Sequence, residues 1–197
     1  MIQKLAHYVT LRMVKENIIL YQQAPNYEYE FVMRVENMLT VFSILAVALH
    51  IKMFGPSVVF LLFFLNLRKV TGGYHAETFL RCFIMSNIIF WCITQIVYPF
   101  LLQKELMLTL AITTLSFVLI FVLGVVNNSN WNLESNEYLQ MKTFARKMVC
   151  KEYFLFLLCL IYKIEKKYIV FMSIGIVLCA ITLIMAKVCK QEIKVEV

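Results

Sequence analysis

Glycine and proline are scarce in this chain, with five and three in 197 residues. That shortage leaves little room for long irregular segments. Charge is scarce too: only 16% of residues are Asp, Glu, Lys or Arg, while 61% are hydrophobic. A soluble domain usually carries about 25% charged and about 45–50% apolar residues. The excess apolar surface must face lipid, which excludes an ordinary soluble domain. Acidic residues are fewer than basic ones, 12 against 19, for a net charge of +7. The basic groups stand between apolar runs and do not gather on one face, which argues against nucleic-acid binding. They suit residues that flank membrane spans and meet anionic headgroups. None of the six cysteines forms a CxxC pair, so zinc-ribbon and thioredoxin-like motifs are unsupported. The even count does not imply a disulfide framework, because this is not a small secreted scaffold. The first thirty residues are charged throughout and show no compact apolar core, so insertion is expected to rely on internal spans. No repeat or low-complexity tract stands out.

The apolar runs predict an all-α, polytopic transmembrane helical bundle forming a single integral-membrane domain over 1–197. Ile2, Leu5, Val9 and Met13 recur at helical spacing, with Lys4, Arg12 and Lys15 as a basic side. Residues 1–24 thus predict an amphipathic helix at the membrane interface or on the protein's own face. Pro25-Asn26 breaks that pattern, and Asn26 is a candidate helix cap. Four long runs follow: Met38–Met53, Phe83–Leu102, Leu106–Val126 and Tyr168–Ala186. Two short ones, Val58–Leu65 and Tyr153–Tyr162, fall below the ~20 residues of a full crossing. The count is therefore about six membrane helices plus the N-terminal amphipathic helix. Residues 127–151 form the longest polar stretch and predict a cytoplasmic loop, with a short surface helix over Glu134–Lys147. Placing the N-terminus inside puts most Lys and Arg on the cytoplasmic side. Lys163, Lys166 and Lys167 fall outside and fit that scheme poorly.

Chemistry concentrates in residues 66–82, a polar interruption predicted to form a loop and a helix start. It carries Gly72, Gly73, His75, Glu77, Arg81 and Cys82. Polar groups beside lipid are costly and need a reason. Cys82 is the candidate nucleophile and His75 the candidate general base. On one unbroken helix they would lie ~10 Å apart along the axis at 1.5 Å per residue. Proton transfer needs roughly 3 Å. The chain must therefore bend between them, with Gly72-Gly73 supplying backbone freedom just upstream. Thr78 is a candidate cap for the helix carrying Cys82, whose dipole would favour a thiolate. The plainer alternative makes His75 an interfacial polar residue and Cys82 a packing residue. A metal site built on His75, Glu77 and Cys82 lacks a fourth cluster ligand, so neither metal nor cofactor is expected.

The run Arg68-Lys69-Val70-Thr71-Gly72-Gly73-Tyr74-His75-Ala76, followed by Cys82, closely resembles the signature of the accessory gene regulator protein B (AgrB) family. Length, amphipathic start, hydrophobic spans and basic tail match as well, so the likeness covers the whole chain. The resemblance implies a bacterial cell-membrane cysteine endopeptidase with its active site on the cytoplasmic side. It would cut an amphipathic quorum-sensing propeptide at its C-terminal side and promote thiolactone or lactone closure. It implies catalytic roles for His75 and Cys82 and supporting roles for Arg68 and Gly73. Gly72 would share the turn, and Glu77 would orient His75 by proximity alone. A homodimer is also implied. One departure concerns residues 127–147, which hold no proline and only three basic residues, where many family members have a Pro- and Lys-rich stretch. The competing expectations are a small-peptide transporter without proteolysis and a non-catalytic membrane scaffold.

Overall fold

The computed structural model describes residues 2–74, 76, 78–127 and 135–191. Its described elements are all helical: α1 Ile2–Lys15, α2 Ala24–His50, α3 Phe54–Thr71, α4 Phe79–Cys92, α5 Tyr98–Gln103, α6 Leu106–Leu123, α7 Ser135–Ile161 and α8 Lys166–Val188. Helix is what an apolar chain must adopt in lipid, where every backbone polar group needs an internal partner. A widened π-helical turn, Ile93–Val97, joins α4 to α5 in one continuous rod. There the Thr94 hydroxyl donates to the Phe90 and Trp91 carbonyls at 3.1 and 3.0 Å.

Among the described residues, five helices are long and apolar enough to cross a membrane: Tyr21–His50, Phe54–Thr71, Phe79–Gln103, Leu106–Leu123 and Lys166–Val188. The all-α polytopic fold is as expected, but three boundaries differ. Pro56 sits in the first turn of α3, where its missing N–H costs nothing. The short run Val58–Leu65 is therefore the middle of an 18-residue helix. Likewise Tyr153–Tyr162 is not a separate run, because α7 extends unbroken for 27 residues from Ser135 to Ile161. Pro25 also lies in a first turn, so Asn26 is inside α2 and does not cap it.

The chain divides into two compact units, Met1–Val47 and Ala48–Val197. In the first, Ala6 and Thr10 of α1 are buried, while Leu5, Tyr8 and Leu11 are exposed. His7 Nδ1 lies 3.0 Å from a Glu28 carboxylate oxygen.

The second unit is built around α8, whose apolar window is 67% buried, more than any other candidate span. Helix α3 runs parallel to α8: Gly55 meets Tyr168 at one end and Thr71 meets Cys179 near the other. Their close approach depends on Gly175, because a Cβ there would stand 2.9 Å from Phe63 Cβ and 3.1 Å from the Phe60 carbonyl. Helix α6 also runs parallel to α8, linked by Thr113 and Ser173 hydroxyls at 2.6 Å. Helix α7 runs the other way, with Tyr153 bonded to Thr114 at 2.7 Å and Arg146 donating to the Phe121 carbonyl at 3.1 Å. Phe63, Leu67, Ile120, Val149, Phe156, Ile176 and Leu183 fill the shared core. The lysines that fitted poorly by charge have local work to do. Lys166 Nζ donates to the Leu102 and Lys104 carbonyls, both at 2.7 Å, closing the end of α5. Lys167 pairs with Glu165 at 2.6 Å.

Candidate active site

The polar interruption is shorter than 66–82. Asn66 to Thr71 belong to α3, so the turn proper starts at Gly72. Gly72 caps α3 with φ +67° and ψ −145°, and Gly73 follows at φ +130°. Side-chain-bearing residues rarely take these angles. A Cβ on Gly73 would also overlap the Arg68 guanidinium and stand 3.2 Å from the Thr182 carbonyl. The pair is therefore required twice, by backbone angle and by space.

Arg68, one turn earlier on α3, folds forward over this turn. Its guanidinium donates to the Gly72 carbonyl at 2.7 Å and to the Tyr74 carbonyl. From the other side, the Tyr74 N–H donates to the Thr182 carbonyl of α8 at 2.9 Å. The Val126 N–H donates to the Thr71 carbonyl at 2.9 Å, tying in the segment after α6. A side chain from α3, a carbonyl from α8 and the exit of α6 thus fix the path of residues 71–74. The sequence points to Arg68, Gly72 and Gly73. It does not point to Thr182, since a backbone carbonyl leaves no trace in residue type.

Helix α4 begins just beyond. Thr78 is its cap, extended at φ −132° and ψ 148°, and its hydroxyl accepts from the Arg81 N–H at 3.4 Å. The Cys82 N–H donates to the Thr78 carbonyl at 3.1 Å. Cys82 therefore sits in the first turns of α4, as the spacing predicts, and is partly buried. It is close enough to Arg68 for electrostatic coupling. The other two predicted site residues, His75 and Glu77, lie outside the described residues. Among the described residues, no group of three His, Cys, Asp or Glu could hold a metal ion.

A cleft of about 480 Å³ opens at this end of the bundle, lined by Tyr74, Ala76, Arg81, Ile84, Met85, Cys189 and Gln191. It is walled by the turn, by one face of α4 and by the end of α8. Cys82 lies in sequence between the lining residues Arg81 and Ile84. The contributions of Cys189 and Gln191 come from more than a hundred residues away, and no local motif marks them.

Behind the turn the bundle holds further polar groups. The Thr71 hydroxyl lies 3.4 Å from Cys179 Sγ, and both residues are fully buried. Glu152 of α7 is buried nearby in the core, 6% exposed.

A family model described as accessory gene regulator B matches residues 2–183. Neither the curated proteins nor the solved structures supply a match.

Proposed function

Because the chain belongs to the accessory gene regulator B family, a membrane protein family of quorum-sensing peptide processing, we propose that it is a membrane cysteine endopeptidase acting on the propeptide. The observation that carries the reading is the clamped turn. Arg68 and Thr182 hold residues 72–74 immediately before the capped start of the helix that presents Cys82, beside an open cleft. Enzymes place reacting groups by this kind of rigid support.

His75 takes the Cys82 proton, and the sulfur attacks the carbonyl carbon of the scissile bond. The C–N bond breaks, the leaving nitrogen takes the proton, and the C-terminal fragment departs as an amine. The rest of the propeptide stays on Cys82 as a thioester. A thiol or hydroxyl within that peptide then attacks the same carbonyl, the new S–C or O–C bond closes the ring, and Cys82 leaves as a thiol. Water would compete for the acyl-enzyme. A site at the edge of the lipid limits that loss, and an internal nucleophile gains effective concentration.

The cleft end of the bundle carries Arg68, Lys69, Arg81, Lys142, Arg146, Lys147, Lys187 and Lys190; the far end carries Lys52, Lys104, Lys163, Lys166 and Lys167. The imbalance supports a multi-pass protein with its site on the cytoplasmic side. The partners in this reading are the amphipathic propeptide and the bilayer, and the homodimer rests on the resemblance alone. The transporter reading draws little from α6, where Thr113 and Thr114 are bonded to neighbouring helices.

The test is co-expression of a candidate propeptide with Cys82→Ala or His75→Ala, following the released fragment by mass spectrometry. Both variants should lose cleavage, while Cys92→Ala and Cys159→Ala keep it. Full processing by either of the first two would defeat the proposal.

A further inference from the structure

Phe90 is the only buried residue of α4, and it meets Phe60 of α3 with ring centroids 6.2 Å apart. Towards its start the helix has no such anchor. It stands off from its neighbours there, and the cleft of about 480 Å³ is the space left. That volume falls in the range of about 300–1,000 Å³ found for small-ligand sites. The facing wall is held firmly. Tyr74 packs against the main core, its N–H donates to the Thr182 carbonyl, and its own carbonyl accepts from Arg68.

Several large apolar residues of α4 are exposed. Leu80, Ile88 and Trp91 lie outside the cleft lining, and lipid accounts for them. Ile84 and Met85 line the cleft together with the polar Arg81 and Gln191. That mixture suits a peptide better than a lipid tail. Met85 comes three residues after Cys82, so the two share a face of α4, about 4.5 Å apart along the axis. A side chain on the residue whose carbonyl meets Cys82 has that reach.

We propose that Ile84, Met85 and Tyr74 form the specificity subsite of the peptidase, seating a large apolar side chain on the propeptide residue whose carbonyl Cys82 attacks. This rests on the peptidase reading above. The acyl side is the one to hold, because that fragment stays on Cys82 until the ring closes, while the amine fragment must leave. Met is unbranched and adapts its shape, so the subsite accepts Leu, Met and Phe alike. The Arg81 guanidinium, four residues before Met85 on the same face, opposes a Lys or Arg side chain there.

Membranes carrying the full chain are assayed with a candidate propeptide whose cleavage point is read from the released fragment. The residue before that point is varied through Leu, Ala, Trp and Lys, and kcat/KM is measured for each. Wild type prefers Leu over Ala by about tenfold to a hundredfold, and Lys is cut least. Met85→Trp fills the subsite and lowers the Leu-to-Ala ratio by about tenfold or more. Ile84→Trp, on the adjacent wall, lowers it in the same way. Met85→Ala enlarges the subsite and moves the preference towards Trp. Ile88→Trp, outside the cleft lining, leaves the ratio as it was. Each ratio compares substrates on one preparation, so a partly folded variant still reports it. A wild type indifferent to the size of that residue overturns the proposal. So does a Leu-to-Ala ratio that none of the Ile84 and Met85 variants moves. Cleavage by Cys82→Ala would instead remove the peptidase reading itself. An inactive Cys82→Ala beside unmoved ratios removes only the subsite.

Discussion

Replacing Gly73 with alanine tests the clamp most sharply. The residue sits at φ +130°, where a Cβ costs about 1–3 kcal/mol in backbone strain. The added carbon would also overlap the Arg68 guanidinium, and the Thr182 carbonyl at 3.2 Å blocks retreat towards α8. Arg68 must then release its hold on the Gly72 and Tyr74 carbonyls, each such bond to a charged group being worth about 1.5–3 kcal/mol. Losing about 3 kcal/mol of preference for the competent turn reduces its population about a hundredfold. Gly73→Ala should therefore cut the rate of fragment release by about that factor while the protein still inserts. The two residues should also be coupled. With Arg68→Ala already present the overlap is gone, so adding Gly73→Ala should cost only the backbone strain. Wild-type turnover in Gly73→Ala, or full additivity with Arg68→Ala, would refute the reasoning.

Arg68→Lys keeps the charge but loses the fork that reaches two carbonyls, so kcat should drop about tenfold or more in the same assay. Thr78→Ala should lower the stability of the α4 start by about 1 kcal/mol, with Thr78→Asp restoring it, read from thermal unfolding in detergent. Gly175→Ala meets Phe63 and the Phe60 backbone, which cannot both yield, so a loss of about 1–3 kcal/mol is expected by the same measurement. Thr113→Val leaves the Ser173 hydroxyl without its 2.6 Å partner and should cost about 0.6–1.7 kcal/mol without changing KM.

How far the sequence reaches is best judged element by element. Helix α6 is legible because no charged residue interrupts it, and the Thr78 cap because a short hydroxyl residue precedes an apolar run. The Gly72-Gly73 turn is legible because few residues besides glycine tolerate such angles. Helix α3 is harder to read, since Pro56 has the same letter whether it ends a helix or opens one. Helix α7 is hidden by its composition: Lys142, Arg146, Lys147 and Lys151 mark a polar stretch, and the buried Ala145 and Val149 that anchor it there are interspersed among them. Glu152 is hidden by its neighbour, because Lys151-Glu152 looks like an ordinary charged surface pair. Thr71 and Cys179 meet across 108 positions, and Thr182 contributes only a carbonyl, so neither contact has a local signature.

The same physics links the fold to the proposed chemistry. Parallel α3 and α8 approach closely at Gly175, which brings the end of α3 beside the last turns of α8. That proximity lets one α8 carbonyl hold the chain just after Gly73. The turn then delivers the backbone to Thr78, and α4 begins with Cys82 one turn inside. Packing in the middle of the bundle thereby decides geometry at its end.

The most direct measurement is to trap the acyl-enzyme. Membranes with wild-type protein are mixed with a propeptide whose ring-closing residue is replaced by alanine, quenched in acid, and digested for mass spectrometry. The account predicts a propeptide fragment joined to Cys82 through a hydroxylamine-sensitive bond. Cleavage that proceeds with the adduct on another residue, or that continues unchanged in Cys82→Ala, would contradict it.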